Sequence, residues 1–445
     1  MNRVSFKDLT KNFEEVNPGL SDREAFEEAH RCLYCYDAPC IKACPTGIDI
    51  PSFIKKIGSG NLKGSAKTIM LSNPIGASCA RVCPTEELCE GACVLKSSTK
   101  PIMIGNLQRY ATDWAIKNNQ TLFQAGKKNG KAVAIIGSGP SGLAAARELA
   151  LLGYNVTIFE AENHAGGLNR HGIVSFRLPK SISSWEVGQI ENLDVKIQTN
   201  TKVGVDISPE VLLDNFDMVV LAIGMGKVPM LGIEGEDLDG VYDAIDFVKE
   251  TKSGELSNDF IGKNIVVIGA GNTAIDSATC SVRLGAANVK ILYRRTESEM
   301  TAYQFEYDFA KQDGVEFRWL TLPTRIIGRN GKVTELECVR LELGEVGKDG
   351  RRSPVPIEGS NFTFPVDGVI KAIGQTRYKE LIEQFGLKHN DGVVKVDQET
   401  FQTSNPKVFA CGDVIFGKGQ GEAMVVTAAQ QGKEVAYAIH KLLST

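Results

Sequence analysis

Short stretches of consecutive apolar residues divide the later part of the chain into strands of a buried sheet. The five apolar residues of Ala132–Ile136 come without a polar break, a pattern typical of a buried parallel strand. An alanine-rich helical stretch follows at 141–152, and a second strand at Asn155–Phe159. The same order recurs at 265–293. Strand, helix and strand in alternation predict an α/β fold with parallel sheets.

The first 117 residues carry no comparable strand pattern. Ser21 and Glu24 have the spacing of a capping box, which predicts a helix of about ten residues. Pro51 predicts a further helix that starts at that point, because a proline in the first turn lacks only an N–H that would have no partner. Another helix is expected over 62–71. This part of the chain is therefore predicted to be small and helical.

Two runs of four cysteines lie in this helical region. The eight residues are Cys32, Cys35, Cys40, Cys44, Cys79, Cys83, Cys89 and Cys93. The first run has the spacing C-x2-C-x4-C-x3-C-P, which is close to the bacterial iron–sulfur run, and thiolates at such intervals let a loop wrap around a soft metal cluster. Thr85 is predicted to cap a short helix that carries Cys89 and Cys93 on one face. We interpret the runs as ligands of two 4Fe–4S clusters, which would help to hold the small domain together.

Zinc and disulfides are the alternative uses of these cysteines. Pairs of C-x2-C suit a structural zinc site, but only Cys32 and Cys35 have that spacing. The chain starts without an apolar signal region, and no run approaches the roughly 20 apolar residues that span a bilayer. We therefore expect a cytoplasmic protein, in which thiols stay reduced. A net charge of −4 indicates neither nucleic acid nor an anionic membrane as a partner.

A glycine-rich turn joins the first predicted strand to its helix. It contains Gly137, Gly139, Pro140, Ser141 and Gly142, and Glu160 ends the next strand. The glycines allow a tight turn and a close approach to a pyrophosphate at the helix N-terminus, while the acid accepts hydrogen bonds from ribose hydroxyls. With its flanking strands and helix, the turn predicts a dinucleotide site. A purely structural glycine turn is the alternative.

A second turn of this type follows the strand at 265–268. It contains Gly269, Gly271, Asn272, Thr273 and Ala274, and the fingerprint allows alanine at its third glycine position. The following strand ends in Arg294 and Arg295 instead of an acid. Guanidinium groups suit a ribose 2′-phosphate, which favours NADP(H). A solvated surface pair is the alternative.

These patterns predict an α/β protein with a small helical N-terminal domain that holds two Fe–S clusters, followed by two nested Rossmann-like domains for FAD and NAD(P). The helical iron–sulfur domain is expected at 1–117. The FAD-binding domain is expected in two parts, at 131–255 and 371–445. The NAD(P)-binding domain at 256–370 is predicted to be inserted between them, because two similar apolar runs that end in glycine flank it.

Together, two dinucleotide folds and two clusters imply an electron-transfer chain. NAD(P)H gives a hydride and clusters carry single electrons, so one dinucleotide should be FAD, which can accept a pair and release single electrons. Hydride transfer depends on geometry, and we assign no catalytic nucleophile or acid–base group. No C-x-x-C lies beside either nucleotide turn, which argues against a thioredoxin-reductase mechanism.

The residues that carry these motifs resemble the dihydropyrimidine dehydrogenase family. The resemblance covers nearly the whole chain and corresponds to the electron-input half of that enzyme. It rests on the segments 32–46, 73–76, 79–85, 105–109 and 176–179. The wider family includes the small subunit of glutamate synthase and a subunit of the flavin-bifurcating NADH-dependent ferredoxin:NADP oxidoreductase.

Position by position, the resemblance implies a ligand set for each cofactor. One cluster would be bound by Cys32, Cys35, Cys40 and Cys93. The other would be bound by Cys44, Cys83, Cys89 and the amide oxygen of Gln108, which leaves Cys79 as a spare thiol. FAD would contact Gly137, Gly139, Pro140, Ser141, Gly142, Glu160, Gly167, Leu168, Arg177 and Asp413. The nicotinamide nucleotide would contact Gly269, Gly271, Asn272, Thr273, Arg294 and Arg295.

The resemblance also implies a partner. Because the chain ends at Thr445, the family's FMN barrel is expected on a second subunit of a heteromer, which would reduce uracil or thymine. Glutamate synthase-like chains tend to carry a carboxylate at the position of Gln108, so this residue favours the pyrimidine enzyme.

NADP-binding members usually add an arginine near Thr301 or Gln304, which leaves NADH and NADPH both open. Electron input to glutamate synthase or to a bifurcating enzyme, and a zinc-stabilised flavoprotein, are the alternative functions.

Overall fold

The computed structural model describes residues 11–254, 258–347, 350–417 and 423–444. Its helices are α1 (Asp22–His30), α2 (Pro39–Ala43), α3 (Ile50–Gly58), α4 (Leu62–Ser72), α5 (Gly76–Val82), α6 (Ile104–Lys117), α7 (Pro140–Leu151), α8 (Gly167–His171), α9 (Lys180–Glu191), α10 (Pro209–Asn215), α11 (Ala244–Ser253), α12 (Asn272–Arg283), α13 (Gln304–Gln312), α14 (Lys379–Gln384) and α15 (Val425–Leu443). Short 3₁₀ helices lie at Val94–Ser97, Asn258–Phe260, Glu297–Glu299 and Gly412–Val414.

The strands follow the predicted alternation with helices. They are β1 (Ala132–Ile136), β2 (Asn155–Phe159), β3 (Lys196–Gln198), β4 (Met218–Leu221), β5 (Val241–Asp243), β6 (Asn264–Ile268), β7 (Asn288–Leu292), β8 (Glu316–Arg318), β9 (Thr321–Arg329), β10 (Lys332–Val346), β11 (Arg352–Pro356), β12 (Phe362–Pro365), β13 (Gly368–Lys371), β14 (His389–Asn390), β15 (Val393–Val394) and β16 (Val408–Ala410).

The chain divides into two compact units. The first unit contains Val16–Arg170, Arg177–Met225 and the described residues from Arg377 onward. The second unit contains Gly226–Thr376, His171–Phe176 and the described residues before Val16. These limits differ from the predicted ones, since the helical region and the FAD-binding parts belong to one unit.

The second unit also starts earlier than the predicted residue 256. Strand β5 pairs with β13 in its sheet, and Phe247 of α11 is buried in its core. A strand of three half-buried residues has no apolar run by which the sequence could reveal it.

A parallel five-stranded sheet in the order β16-β4-β1-β2-β3 forms the centre of the first unit. Ala132 lies opposite Asn155, and the register continues to Ile136 opposite Phe159. Helix α7 follows β1 directly, and α15 packs so closely on α7 that a Cβ atom on Gly432 would lie 2.1 Å from the Ser141 carbonyl oxygen. In such parallel sheets the loops after the strands meet at one edge, where ligands bind.

The N-terminal helices of the first unit have an apolar core of their own. It includes Phe53, Ile54, Ile69 and Leu107, and five of the cysteines pack at its margin. Helix α1 has the predicted capping box between Ser21 and Glu24. Helix α5 is placed differently, because its Cys79 and the preceding Ile75 belong to the core of the five-stranded sheet. Apolar packing thus joins the helical region to the sheet.

The second unit contains a parallel sheet in the order β5-β13-β6-β7-β8. Strand β6 pairs with β7 from Asn264 opposite Asn288 to Ile268 opposite Leu292. A separate antiparallel sheet has the order β11-β10-β12, with β9 also paired to β10. Helix α12 follows β6 through the second glycine turn. No helix in the described part of the chain is long and apolar enough to cross a membrane.

Candidate cofactor sites

Four cysteines from distant points of the chain line one cavity. They are Cys32, Cys35, Cys40 and Cys93, and the cavity walls include Ile54 and Ile102. Helix α1 ends just before Cys32, and α2 contains Cys40. Burial raises the pKa of Cys40 to about 11, and the charges of Cys32 and Cys93 add to the rise. Thiols that act on one another at an apolar wall fit a cluster of soft iron and sulfide, which binds them as thiolates.

The other four cysteines of the two runs form a second group. The pKa of Cys83 lies well above its ordinary value because its side chain is hydrogen-bonded with Cys79 and is buried, and because Cys89 and Cys44 add their charges. Burial also raises the pKa of Cys89, with Glu90 and Cys44 contributing. Cys44, Cys79, Cys83 and Cys89 therefore lie close enough to act on one another, and Cys40 of the first group also acts on Cys89.

Gln108 lies on α6, against the start of α5. Its side chain is buried, and its Nε2 donates a 2.7 Å hydrogen bond to the carbonyl oxygen of Gly76. Gly76 is the first residue of α5, the helix that contains Cys79 and leads to Cys83. Within the described part of the chain Oε1 accepts no hydrogen bond, so the oxygen that a metal could use is available.

The predicted helix after Thr85 is not present. Residues 85–92 form successive turns, in which the Thr85 carbonyl oxygen accepts from the N–H groups of Leu88, Glu90 and Gly91. A Cβ atom on Gly91 would lie 2.0 Å from the Glu86 carbonyl oxygen, so the turn needs glycine. This tight backbone sends Cys89 and Cys93 to different thiol groups, whereas a helix would have placed them on one face.

A glycine-lined cradle opens at the N-terminus of α7. Gly137 has φ +97°, and a Cβ atom there would lie 2.4 Å from the Ala222 carbonyl oxygen. A Cβ atom on Gly142 would lie 2.1 Å from the Gly137 carbonyl oxygen. Gly139 has open space around its Cβ position, and Pro140 occupies the first helical turn. The open side at a helix N-terminus fits the pyrophosphate of a dinucleotide.

Two further glycine segments reach the same cradle. A Cβ atom on Gly167, which has φ +55°, would lie 2.6 Å from the Gly139 Cα atom. A Cβ atom on Gly412 would lie 2.5 Å from the Ser141 Oγ atom. Leu168 follows in α8 and is 36% exposed. The residues predicted for FAD from the first turn, from Gly167 and from the segment before Asp413 therefore meet at one place.

Glu160 is held firmly at the end of β2. Its Oε2 accepts hydrogen bonds from the backbone N–H of Ser138, at 3.0 Å, and from the Ser138 hydroxyl. Its Oε1 accepts from the N–H of Glu162 at 2.8 Å. The Ser138 hydroxyl in turn accepts from the N–H of Gly166 at 2.9 Å. The carboxylate thus orders both glycine loops of the cradle, and its oxygens keep lone pairs for ribose hydroxyls.

Two residues that the sequence analysis did not predict for the FAD site, Arg377 and Gln431, hold the backbone around Asp413. Arg377 donates to the backbone oxygen of Asp413 and, at 2.7 Å, to that of Phe416. Gln431 of α15 accepts from the N–H of Gly412 at 2.8 Å. Burial raises the pKa of Asp413, and the charge of Arg377 opposes the rise. No local motif marks Arg377 or Gln431, because their contacts join segments far apart in the chain. The predicted Arg177 is half-buried in the turn before α9.

All six residues predicted for the nicotinamide nucleotide line one cavity of ≈ 520 Å³ in the second unit. They are Gly269, Gly271, Asn272, Thr273, Arg294 and Arg295. A Cβ atom on Gly269, which has φ +126°, would lie 2.1 Å from the Ala372 carbonyl oxygen. Sequence reasoning missed Arg351, which also lines the cavity. A glycine turn at the N-terminus of α12 with guanidinium groups at the next strand end suits a dinucleotide.

The two arginines after β7 differ in their surroundings. Arg294 is exposed, and Arg295 is buried. Arg295 donates from Nε to the backbone oxygen of Arg352 at 3.1 Å, which attaches the start of β11 to the cavity wall. Arg294 is therefore the better placed of the two to approach an anionic ligand, while Arg295 also has a structural contact.

The remaining cysteines lie outside these sites. Burial raises the pKa of Cys280, Cys338 and Cys411 to about 12 each. Such thiols stay protonated near neutral pH and are poor nucleophiles. This agrees with the sequence argument against a dithiol mechanism.

A buried carboxyl group joins the iron–sulfur segment to the FAD-binding segment. Glu186 of α9 accepts from the backbone N–H of Ser78 at 2.8 Å and from its hydroxyl at 2.5 Å. Burial raises the pKa of Glu186 to about 7, while the Ser78 hydrogen bonds and the charge of Arg81 oppose the rise. The ordinary value of this group is 4.5.

We expect Glu186 to make the first unit less stable as the pH rises. Because its folded-state pKa is the higher one, its contribution to stability is complete below pH 4.5 and is lost as the pH rises through about 7. The loss amounts to about 3 kcal/mol. The midpoint temperature of thermal unfolding of the holoprotein should therefore fall less steeply from pH 5 to pH 8 in Glu186→Gln than in the wild type. The exposed Glu191→Gln on the same helix is the control, and parallel profiles for Glu186→Gln and wild type would contradict this role.

The fold and the sites define the class of this protein. It is an oxidoreductase in which an iron–sulfur segment precedes binding folds for FAD and a pyridine nucleotide. Residues 9–120 match the family profile described as dihydropyrimidine dehydrogenase domain II, 4Fe-4S cluster, and residues 131–432 match the profile of pyridine nucleotide-disulphide oxidoreductases. The chain belongs to the pyridine nucleotide-disulphide oxidoreductase family, in the group that carries this iron–sulfur segment. The iron–sulfur interpretation of the cysteines is thus confirmed over zinc.

Curated relatives share this arrangement over most of the chain. The NAD-dependent dihydropyrimidine dehydrogenase subunit PreT of Salmonella typhimurium is 35% identical, with 97% of each chain covered. The small chain of NADPH glutamate synthase from Escherichia coli is 35% identical, with 95% of this chain and 92% of that one covered. The NADP(+)-dependent formate dehydrogenase subunit beta of Moorella thermoacetica is 36% identical over 91% of this chain, which spans 60% of that protein. All three are named as parts of larger enzymes.

Proposed function

We propose that this chain is the electron-input subunit of a dihydropyrimidine dehydrogenase. It oxidises NAD(P)H and passes electrons through FAD and two 4Fe–4S clusters to an FMN-containing partner subunit, which reduces uracil or thymine reversibly to 5,6-dihydropyrimidines. The observation that carries the proposal is the buried Gln108, whose amide nitrogen donates to the first residue of α5, the helix that contains Cys79, while its oxygen accepts no hydrogen bond among the described residues. The full-length similarity to a subunit of that enzyme supports it.

The proposed cluster ligands follow the two thiol groups. Cys32, Cys35, Cys40 and Cys93 hold one cluster, and Cys44, Cys83, Cys89 and Gln108 hold the other. Cys79 is left over, and its place in the apolar core of the sheet supports a packing role. The proposed location is cytoplasmic, where thiols stay reduced and can bind clusters.

The cradle would hold FAD, and the chemistry supplied there would be the conversion of a hydride from NAD(P)H into single electrons for the clusters. The residues of this chain would bind and orient the cofactors. Glu160 holds the two glycine loops of the FAD cradle together, and Gln431 and Arg377 fix the backbone on either side of Asp413. Gly269 and Gly271 let a pyrophosphate approach the N-terminus of α12. Such positioning is the main requirement of hydride transfer.

Electron input to a glutamate synthase is the second candidate. The equal identity to the small chain of that enzyme favours it. The two functions share every cofactor of this chain and differ in the partner, so only an assay with partners can separate them.

The test is co-purification with a candidate FMN subunit, followed by uracil-dependent oxidation of NADH and NADPH. We expect oxidation that requires uracil, this chain and the FMN subunit. A matched mixture with a glutamine amidotransferase subunit should form no glutamate. Absence of the uracil-dependent rate, together with glutamine-dependent glutamate formation, would reject the proposal in favour of the second candidate.

The nucleotide preference can be tested at the arginine pair. We expect Arg294→Ala combined with Arg295→Ala to raise the KM for NADPH about tenfold or more and to change that for NADH much less, because hydrogen bonds to a charged phosphate contribute about 1.5–3 kcal/mol. Steady-state kinetics with both nucleotides measure this. Arg329→Ala, an exposed change at the end of β9 in the same unit, is the control. Equal increases for both nucleotides would show that no 2′-phosphate is bound at this pair.

A further inference from the structure

A lysine of the C-terminal helix reaches the iron–sulfur segment. Lys433 of α15 donates from Nζ to the backbone oxygen of Ser72 at 2.5 Å and contacts that of Thr46 at 3.5 Å. Thr46 lies two residues after Cys44, and the Thr46 Oγ1 and Cys44 Sγ atoms are 3.4 Å apart. The ammonium group therefore lies at the loop that presents Cys44 to the second thiol group.

The charge of Lys433 has no ion-pair partner among the described residues. Arg147 and Glu148 act on it and pair with each other at 2.5 Å, and Glu434, the next residue of the helix, also acts on it. The negative charge of Cys44 also acts on Lys433. Lys433 thus brings a positive charge to the loop of Cys44 in a partly buried place, where electrostatic effects are stronger than in water.

The same helix also contacts the FAD cradle. Two residues before Lys433, Gln431 accepts the N–H of Gly412, next to Asp413. Helix α15 therefore links the flavin side of the unit, through Gln431, to the loop of Cys44, through Lys433. A rigid helix between two redox sites is a suitable place for a residue that adjusts one of them.

We propose that the positive charge of Lys433 favours reduction of the cluster held by Cys44, Cys83 and Cys89, and so draws electrons from the flavin to that cluster. One electron enters the cluster from the NAD(P)H-reduced flavin, and Lys433 neither forms a bond nor exchanges a proton. Reduction adds a negative charge, which a nearby cation stabilises. This inference rests on the proposed ligand assignment and does not depend on which partner accepts the electrons.

The simpler alternative is a purely structural role at the end of α4. Ser72 is the last residue of that helix, and Arg147 donates to the neighbouring Leu71 carbonyl oxygen at 2.8 Å. Cations at a helix C-terminus stabilise it by hydrogen bonds and through the helix dipole. A neutral side chain that can still donate to Ser72 separates this role from an electrostatic effect on the cluster.

The experiment is a redox titration of the purified holoprotein, followed by electron paramagnetic resonance. Lys433→Gln keeps a donor without the charge, Lys433→Met removes both, and Lys433→Arg keeps both. The exposed Lys441→Met on the same helix is the matched control. The signal of the second cluster is identified as the one that Gln108→Glu alters. Iron and flavin contents are measured for every variant.

We expect the ratio of reduced to oxidised second cluster at a fixed potential to fall about tenfold in Lys433→Gln and Lys433→Met, a shift of about 59 mV for a one-electron couple. The first cluster should stay unchanged, and Lys433→Arg and Lys441→Met should match the wild type. An unchanged potential in Lys433→Gln, equal shifts of both clusters, or loss of the second cluster's iron in both neutral variants would overturn the proposal. Because no partner subunit takes part, failure here is distinct from failure of the proposed function.

Discussion

A Cys93→Ser variant is expected to lose one of the two clusters and to keep its flavin. Cys93 shares its cavity with three thiols that lie more than fifty residues earlier in the chain, and a serine hydroxyl is a poor ligand for soft iron. Iron should fall from about eight to about four atoms per FAD. NAD(P)H should still bleach the flavin, while electron transfer to an external acceptor through the clusters should be largely lost.

Cys79→Ser is the matched control for this change. Cys79 lies in the second thiol group but also in the apolar core of the sheet, and the proposed ligand set does not include it. The variant should therefore keep about eight iron atoms per FAD. Loss of iron in Cys79→Ser together with full iron in Gln108→Ala would reverse the assignment of the fourth ligand.

The second large effect is expected at Gly139, where a valine should exclude FAD without unfolding the protein. The backbone of Gly139, with φ −68° and ψ −179°, suits any residue, and no atom lies within 4 Å of its Cβ position. Valine at this N-cap position costs about 1 kcal/mol. Its methyl groups would occupy the open side of the cradle, where the backbone must approach a pyrophosphate.

Flavin per protein should fall at least about tenfold in Gly139→Val, since a loss of 1.4 kcal/mol in binding already has that effect. Iron content and the circular dichroism spectrum should match the wild type. Gly188→Ala on α9, which also has open space at its Cβ position, is the control and should keep its flavin. Normal flavin content in Gly139→Val would show that the cradle is not the FAD site.

Local patterns were enough to locate the two nucleotide folds. Strands β1 and β2 have the predicted bounds, and in β1 the reason is that a strand buried on both faces is an unbroken apolar run. The glycine turns were visible for the same reason, since a backbone with positive φ or a close contact selects glycine at fixed spacing. In contrast, β5 escaped prediction because three half-buried residues leave no pattern.

The turn after Thr85 shows where local reasoning failed. The spacing of Cys89 and Cys93 is compatible with one helix face, but three N–H groups converge on a single carbonyl oxygen and Gly91 allows the chain to fold back. The spacing of the residues alone could not show that the backbone would form this turn instead of a regular helix. As a result, two cysteines predicted on one face belong to different groups.

The amino-acid sequence by itself determined the types of chemistry in this protein, because soft thiolates, glycine turns and buried strands are each encoded in a few neighbouring residues. Only the tertiary structure decided which four thiols line one cavity, which arginine of the pair is exposed, and that Arg377, Gln431 and Lys433 reach the candidate cofactor sites. These contacts join residues separated by tens to hundreds of positions. They exist only because the packing of helices on the sheet brings such segments together, and no local spacing records that packing.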